Sequence, residues 1–162
     1  MARFEVELPA LSDVAAARGE RDGLAWLRGM ADGSLPTATL STVMGISLDE
    51  IEEKRITLTL PLKRHLSNAF GGMHGGAVAT LCDSATGFAV ITTLSAEETF
   101  TTMDLTTKML RGAALEAGEV LRCEARVMMR GRRSATAEAQ VYRNDGKLVA
   151  TCLCTCMIMP RS

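Results

Sequence analysis

Histidine is almost missing from this chain, with two among 162 residues. Structural zinc sites draw on His and Cys at spacings such as C-x2-C. The five cysteines are Cys82, Cys123, Cys152, Cys154 and Cys156. The last three alternate and would share one face of a strand, so no metal site is expected. Net charge is also missing: 18 Lys and Arg stand against 19 Asp and Glu, a formal charge of -1. That excludes a strongly basic domain of the kind that tracks nucleic acid. The first 30 residues hold no continuous apolar run and mix Arg, Glu and Asp, so no secretory signal is expected. With an odd cysteine count, this reads as reduced thiols in the cytoplasm. Aromatic residues are scarce as well (Phe4, Trp26, Phe70, Phe88, Phe100 and Tyr142). The shape of any ligand pocket is therefore left to packing.

What is present is the balance of one soluble globular domain, 47% hydrophobic and 23% charged. The charge is unevenly spread. Residues 1–105 carry 8 basic and 14 acidic side chains, and residues 106–162 carry 10 basic and 5 acidic. Arg111, Arg122, Arg126, Arg130, Arg132 and Arg133 would draw an anionic small ligand to the C-terminal third. The alternative is a solvated strand face.

Residues 1–18 show no sustained pattern, and a short amphipathic helix is expected over 20–32, stopped by Gly33 and Pro36. Residues 37–42 lead into an expected strand at 43–50. Ile56, Leu58 and Leu60 alternate in a second strand that Pro61 closes. Residues 75–94 are apolar or small with one formal charge, Asp83. They are long enough to span a bilayer. A mid-span carboxylate is expensive in lipid, however, so a helix buried inside the protein fits better and no membrane association is expected. Four strands follow: 100–109, 121–129, 135–142 and 148–159, with turn signals at Gly131 and at Asn144-Asp145-Gly146-Lys147. Met44, Met103, Met109, Met128, Met129, Met157 and Met159 fall in strand patterns and are expected in the core. No strand-helix alternation repeats, so the fold class is α+β: an antiparallel sheet wrapped around one long central helix. A domain over 41–162 would follow an arm over 1–40. One sheet cannot enclose the helix fully, so pairing with a second copy is expected.

The chemistry concentrates in the glycine-rich stretch from His65 to Gly76 and in Asp83. Four glycines, Gly71, Gly72, Gly75 and Gly76, let a loop approach a ligand closely before a helix begins. The first amides of that helix lack intrahelical acceptors, and the dipole places positive charge there. N–H groups near Gly75 and Gly76 would thus polarise a carbonyl and hold an oxyanion. Asp83 lies about 12 Å further along the axis at 1.5 Å per residue, too far to share that carbonyl within one chain. A dimer resolves the distance by sharing sites. A buried Asp83 demands partners, whether functional or structural. His74 fits a loop-fixing hydrogen bond better than proton transfer, and Cys82 beside a carboxylate is a poor nucleophile.

Asn68-x2-Gly71-x2-His74-Gly75-Gly76-x6-Asp83, then Thr102-Met103-Asp104-Leu105 and Leu110-Arg111, resembles the hotdog-fold acyl-CoA thioesterases. The phenylacetate-degradation (PaaI-like) branch of the 4-hydroxybenzoyl-CoA thioesterase superfamily is the nearest. Gly131-Arg132-Arg133 and Asp145-Gly146-Lys147-Leu148-Val149-Ala150 fit that branch, and the resemblance covers about residues 43–159.

The resemblance implies a cytoplasmic homodimer, often a dimer of dimers, hydrolysing a coenzyme A thioester at the subunit interface. No metal or separate cofactor is implied, since coenzyme A is part of the substrate. By motif position Asp83 is nucleophile or general base, and Gly75 gives its backbone N–H to the thioester carbonyl. Asn68 orients the water or the carbonyl, and the Thr102 hydroxyl assists the water. Arg111, Arg132 and Arg133 suit the nucleotide phosphates. The chain departs from some relatives at Gly87, where they place a hydroxyl one turn beyond Asp83, and at Gly112, where many have proline. A non-catalytic acyl-CoA-binding module is the alternative from another class. A hotdog dehydratase or hydratase using His74 is a third reading.

Overall fold

The computed structural model describes residues 4–116 and 118–161. Three short helices come first: α1 (Leu11–Ala16), α2 (Gly23–Ala31) and α3 (Thr39–Met44). The strands β1 (Ser47–Glu52) and β2 (Arg55–Pro61) form a hairpin, and a single 3-10 turn at Arg64–Leu66 leads to the long helix α4 (Gly75–Ile91). Strands β3 (Glu98–Met109), β4 (Val120–Arg130), β5 (Ser134–Arg143) and β6 (Leu148–Pro160) complete the chain. All six strands pair antiparallel in one sheet, in the order β1-β2-β4-β5-β6-β3.

Alternation explains how α4 is held. Successive side chains of a strand point to opposite faces. Leu58 and Leu60, Leu121 and Cys123, Ala135, Ala137, Ala139 and Val141, and Cys152, Cys154 and Cys156 all turn inward and are buried. The inward rows of β5 and β6 are mainly Ala and Cys. These small side chains let the helix settle close to the middle of the sheet at interior packing density. Leu81, Cys82, Ala85, Ala89 and Val90 of α4 are buried against them. Along α4, Asp83 and Ser84 are only half-buried, so the helix is open on one side. The sequence led us to expect a buried Asp83. Its carboxylate instead lies beside β3, the last strand of the sheet, which has no neighbour beyond it.

The segment expected to enter a strand at residue 43 is helical. Thr42 Oγ1 donates to the Ala38 carbonyl, and Gly45, in the left-handed conformation at φ 78, ends α3 by donating to Ser41 and Thr42. A left-handed glycine of this kind is the common helix stop, and it outweighs the strand preference of two threonines and a valine. Residue 40 therefore falls inside a helix. Leu27 and Met30 of α2 join the same buried cluster as the sheet. Gly23 N–H donates to the Leu94 carbonyl, and the Arg18 guanidinium donates to the Ser95 carbonyl at 2.7 Å.

The methionines correct a second expectation. Met44 is buried, but Met103 is 64% exposed, Met109 46%, Met128 55% and Met129 49%. Met103 and Met109 belong to the sheet's edge, and Met128 and Met129 to the end of β4, where the register shifts between Val127 and Met129. Among the described residues no helix is long and apolar enough to cross a membrane.

Candidate active site

The loop before α4 is built around Asn68. Its side-chain oxygen accepts from the Phe70 and Gly72 N–H groups at 2.9 and 3.2 Å, and its amide nitrogen donates to the Met73 carbonyl at 3.1 Å. Its own N–H donates to Gly72 at 2.8 Å. Asn68 is thus the hub of a tight turn. Its carbonyl oxygen is engaged twice within the loop, and its amide nitrogen donates once. Phe70 stands at the tip, 97% exposed.

His74 is the N-cap of α4. Its Nδ1 accepts from the Gly76 N–H at 2.9 Å, which fixes Nδ1 as the acceptor and agrees with the loop-fixing reading. A side chain at Gly76 would collide with that ring, since an added Cβ would lie 2.9 Å from Nδ1. The Ala77 and Val78 N–H groups donate to the His74 carbonyl at 3.0 and 3.3 Å. Of the first amides, Gly76 is therefore occupied, and the Gly75 N–H is left with no acceptor among the described residues. Gly75 is exposed, and the helix dipole favours negative charge at this point.

Two turns along, Asp83 Oδ1 accepts from Thr102 Oγ1 at 3.0 Å. A β-bulge makes this contact possible. Thr102 pairs with Cys156, and the next pair is Asp104 with Thr155, so Met103 is an extra residue. Strict alternation would turn Thr102 and Asp104 to the same face. The bulge instead lets Thr102 and Leu105 face the helix and leaves Asp104 exposed. The β3 row facing α4 is accordingly Phe100, Thr102, Leu105, Thr107 and Met109, paired across to Ile158, Cys156, Cys154, Cys152 and Ala150. The resemblance pointed to Thr102, whereas Phe100 beside it and Met109 at the far end of the row were not picked out for the site. The signal was Gly87: glycine inside a helix costs about 1 kcal/mol relative to alanine, so it marks a close approach.

Cys82 is buried. A hydrogen bond to Cys123 raises its thiol pKa, and burial and the Asp83 charge add to the rise. The neighbouring carboxylate, which the sequence argument relied on, is the lesser cause.

Of the six arginines, three are neutralised on the sheet. Arg122 pairs with Glu50 and Glu124, Arg126 with Glu138 at 2.6 Å, and Arg130 with Glu98 at 2.7 Å. Several of these residues line a hollow of about 460 Å³ on the outer face of the sheet, away from α4. Arg111 donates to the Leu148 carbonyl at 2.9 Å. Arg132 and Arg133 are exposed and make no ion pair among the described residues.

A single antiparallel sheet with one long helix packed on its inner face is the hotdog architecture. The thioesterase superfamily model matches residues 70–150, and the chain belongs to that superfamily. It superimposes on the PaaI protein from the E. coli phenylacetic acid degradation operon with a TM-score of 0.72 at 20% identity, covering 85% of this chain and 95% of that one. A conserved protein of Pseudomonas aeruginosa is similar at 30% identity and a TM-score of 0.70, covering 76% and 95%. A phenylacetic acid degradation-related protein of Ralstonia eutropha gives 26% identity and a TM-score of 0.74, covering 81% and 98%. The comparison with curated proteins finds no match. The chain is a PaaI-like hotdog protein and a thioester hydrolase.

Proposed function

We propose that this hydrolase acts on acyl-CoA thioesters, at two identical sites that each lie between two copies of the chain. The observation that carries this reading is the Asp83 carboxylate, half-buried beside an edge strand and held by Thr102 at 3.0 Å. A carboxylate placed there accepts the proton of a water as its oxygen adds to the thioester carbon. The resulting oxyanion needs a preorganised donor, and the free Gly75 N–H at the positive end of α4 suits it. The carbon–sulfur bond then breaks, and the proton held by Asp83 passes to the departing sulfur. The products are a carboxylic acid and coenzyme A. Asn68 and His74 act as positioning residues that set the loop and the helix start. A nucleophilic Asp83 would instead form a mixed anhydride. Trapping with hydroxylamine during turnover tests for the nucleophilic route: a hydroxamate formed on Asp83 would show the anhydride, as would ¹⁸O entering the Asp83 side chain from labelled water in a single turnover.

Eight residues of helix, about 12 Å, separate Gly75 from Asp83. Each site therefore takes one group from each subunit. The exposed side chains of Met103, Met109 and Leu110, together with the unpaired edge of β3, support an isologous pairing of β3 with its copy. The decisive variant is Asp83→Asn. Its kcat on acyl-CoA should fall by at least about a hundredfold, the low end of general-base contributions, with acyl-CoA binding retained. Near-normal turnover would remove Asp83 from the mechanism. A wild-type protein that binds acyl-CoA yet hydrolyses none would be the binding module instead. A fully active monomer at micromolar concentration would sink the shared site.

A further inference from the structure

We infer that Phe100, seated on Gly87, sets the size of the acyl group this enzyme accepts. The inference rests on the acyl-CoA reading of the Asp83 site. Helix α4 and strand β3 run side by side in opposite directions. At one end the Met109 methyl lies 3.9 Å from the position of a Cβ on Gly75, and in the middle Thr102 donates to Asp83 at 3.0 Å. At the other end the Phe100 ring tip would lie 3.2 Å from a Cβ on Gly87. These three contacts lie along one seam between helix and strand, with one polar pair at its centre, and we seat the acyl group in a trough along that seam.

Gly87 is one helical turn beyond Asp83, about 6 Å along the axis. Phe100 is two residues before Thr102 on the same strand face, roughly 7 Å away. The reacting carbon must sit against Asp83, so the acyl group begins within one turn of the Phe100 ring. With no side chain on Gly87, the ring closes that end of the trough. The wall is apolar, because Phe100 pairs with the buried Ile158 and Gly87 offers only backbone. The acyl group it suits is accordingly short or compact, and uncharged. A long straight chain would have to displace the ring.

Removing the ring should lengthen the pocket, and crowding it should shorten the pocket. One methylene in an apolar pocket changes kcat/KM by roughly 10- to 200-fold. The measurement is kcat/KM over a series from acetyl-CoA to dodecanoyl-CoA, with phenylacetyl-CoA as the compact aromatic member. Wild type should favour the short and compact members. In Phe100→Ala the ratio of decanoyl-CoA to butanoyl-CoA should rise at least about tenfold. Phe100→Leu should give a smaller rise in the same direction. Gly87→Ala, which pushes on the ring, should lower the ratio. If Phe100→Ala fails to fold in a thermal melt, the Leu and Gly87 variants decide. Equal losses on every chain length in the folded variants, or a wild type that prefers long chains, would overturn the assignment while leaving the thioesterase reading intact. A wild type inactive on the whole series would overturn that reading, and this one with it.

Discussion

Thr102 reaches Asp83 because the strand that carries it is irregular. Without the extra residue at Met103, either Thr102 or Leu105 would leave the helix-facing row. A hydrogen bond to a charged acceptor contributes about 1.5–3 kcal/mol. Thr102→Val should therefore lower kcat about tenfold, with KM nearly unchanged, and Thr102→Ser should restore most of the loss. Equal effects on kcat and KM in the Val variant, or no rescue by Ser, would make Thr102 a packing residue. The residues proposed for the site could be picked out from the sequence: His74, Gly75 and Asp83 from the glycine-rich stretch and the helix after it, and Asn68 and Thr102 from the resemblance. Their division of labour could not. Whether Asn68 faces a substrate or knots its own loop depends on backbone N–H groups at Phe70 and Gly72 that have no sequence signature. The His74 ring likewise claims the Gly76 amide and narrows two candidate donors to Gly75.

Among the elements, the strands that alternate cleanly were the readable ones. Leu121, Cys123 and Ala125, like Ala135, Ala137 and Ala139, are buried, as their period of two requires. The failures have local causes: a helix that ends only at the left-handed Gly45 moved the start of the first expected strand from residue 43 to Ser47, and an unpaired edge left Met103 and Met109 outside the core. One ion pair fastens that edge to the interior of the sheet. Arg130, at the end of β4, donates to Glu98, at the start of β3, and also to Thr93 just past α4. Hydrogen bonding to Arg130 holds the Glu98 carboxyl below its ordinary pKa, while partial burial opposes this. The folded state thus favours ionised Glu98. The contribution is present above the unfolded pKa of about 4.3 and disappears as pH falls through the lower folded value. Glu98→Gln should lower stability at pH 7 by about 1 kcal/mol, a modest figure because both side chains keep contact with water. The difference from wild type should shrink as pH falls below the unfolded pKa of about 4.3. An acid melting curve whose gap between the two proteins is constant with pH would show that the pair carries no linkage.

For the whole molecule, the uneven charge acquires a geometry. The C-terminal third is basic, but Arg122, Arg126 and Arg130 spend their charge on glutamates. Arg132 and Arg133 remain, in the turn between β4 and β5, with Arg111 after β3. Within one chain they are far apart. Arg111 follows Met109, which pairs with Ala150, whereas the Arg133 carbonyl accepts from Ile158, which pairs with Phe100. Nine residues of strand separate those positions, about 30 Å at 3.3 Å per residue. A two-fold axis through the middle of a paired β3 edge reverses one strand against the other. It would carry Arg111 of one subunit toward the partner subunit's Arg132 and Arg133, at the mouth of a shared site. The coenzyme's phosphates would then be met by cations from both subunits, outside the trough where the acyl carbon reacts. Replacing Arg132 and Arg133 together by Ala should raise KM for acyl-CoA several-fold to about tenfold, with a smaller change in kcat. The increase should shrink as salt rises, because screening acts over about 8–10 Å at physiological ionic strength. It should nearly vanish for an N-acetylcysteamine thioester, which lacks the nucleotide. Equal losses on the full and truncated substrates would make these arginines structural, and the phosphates would have to be held elsewhere.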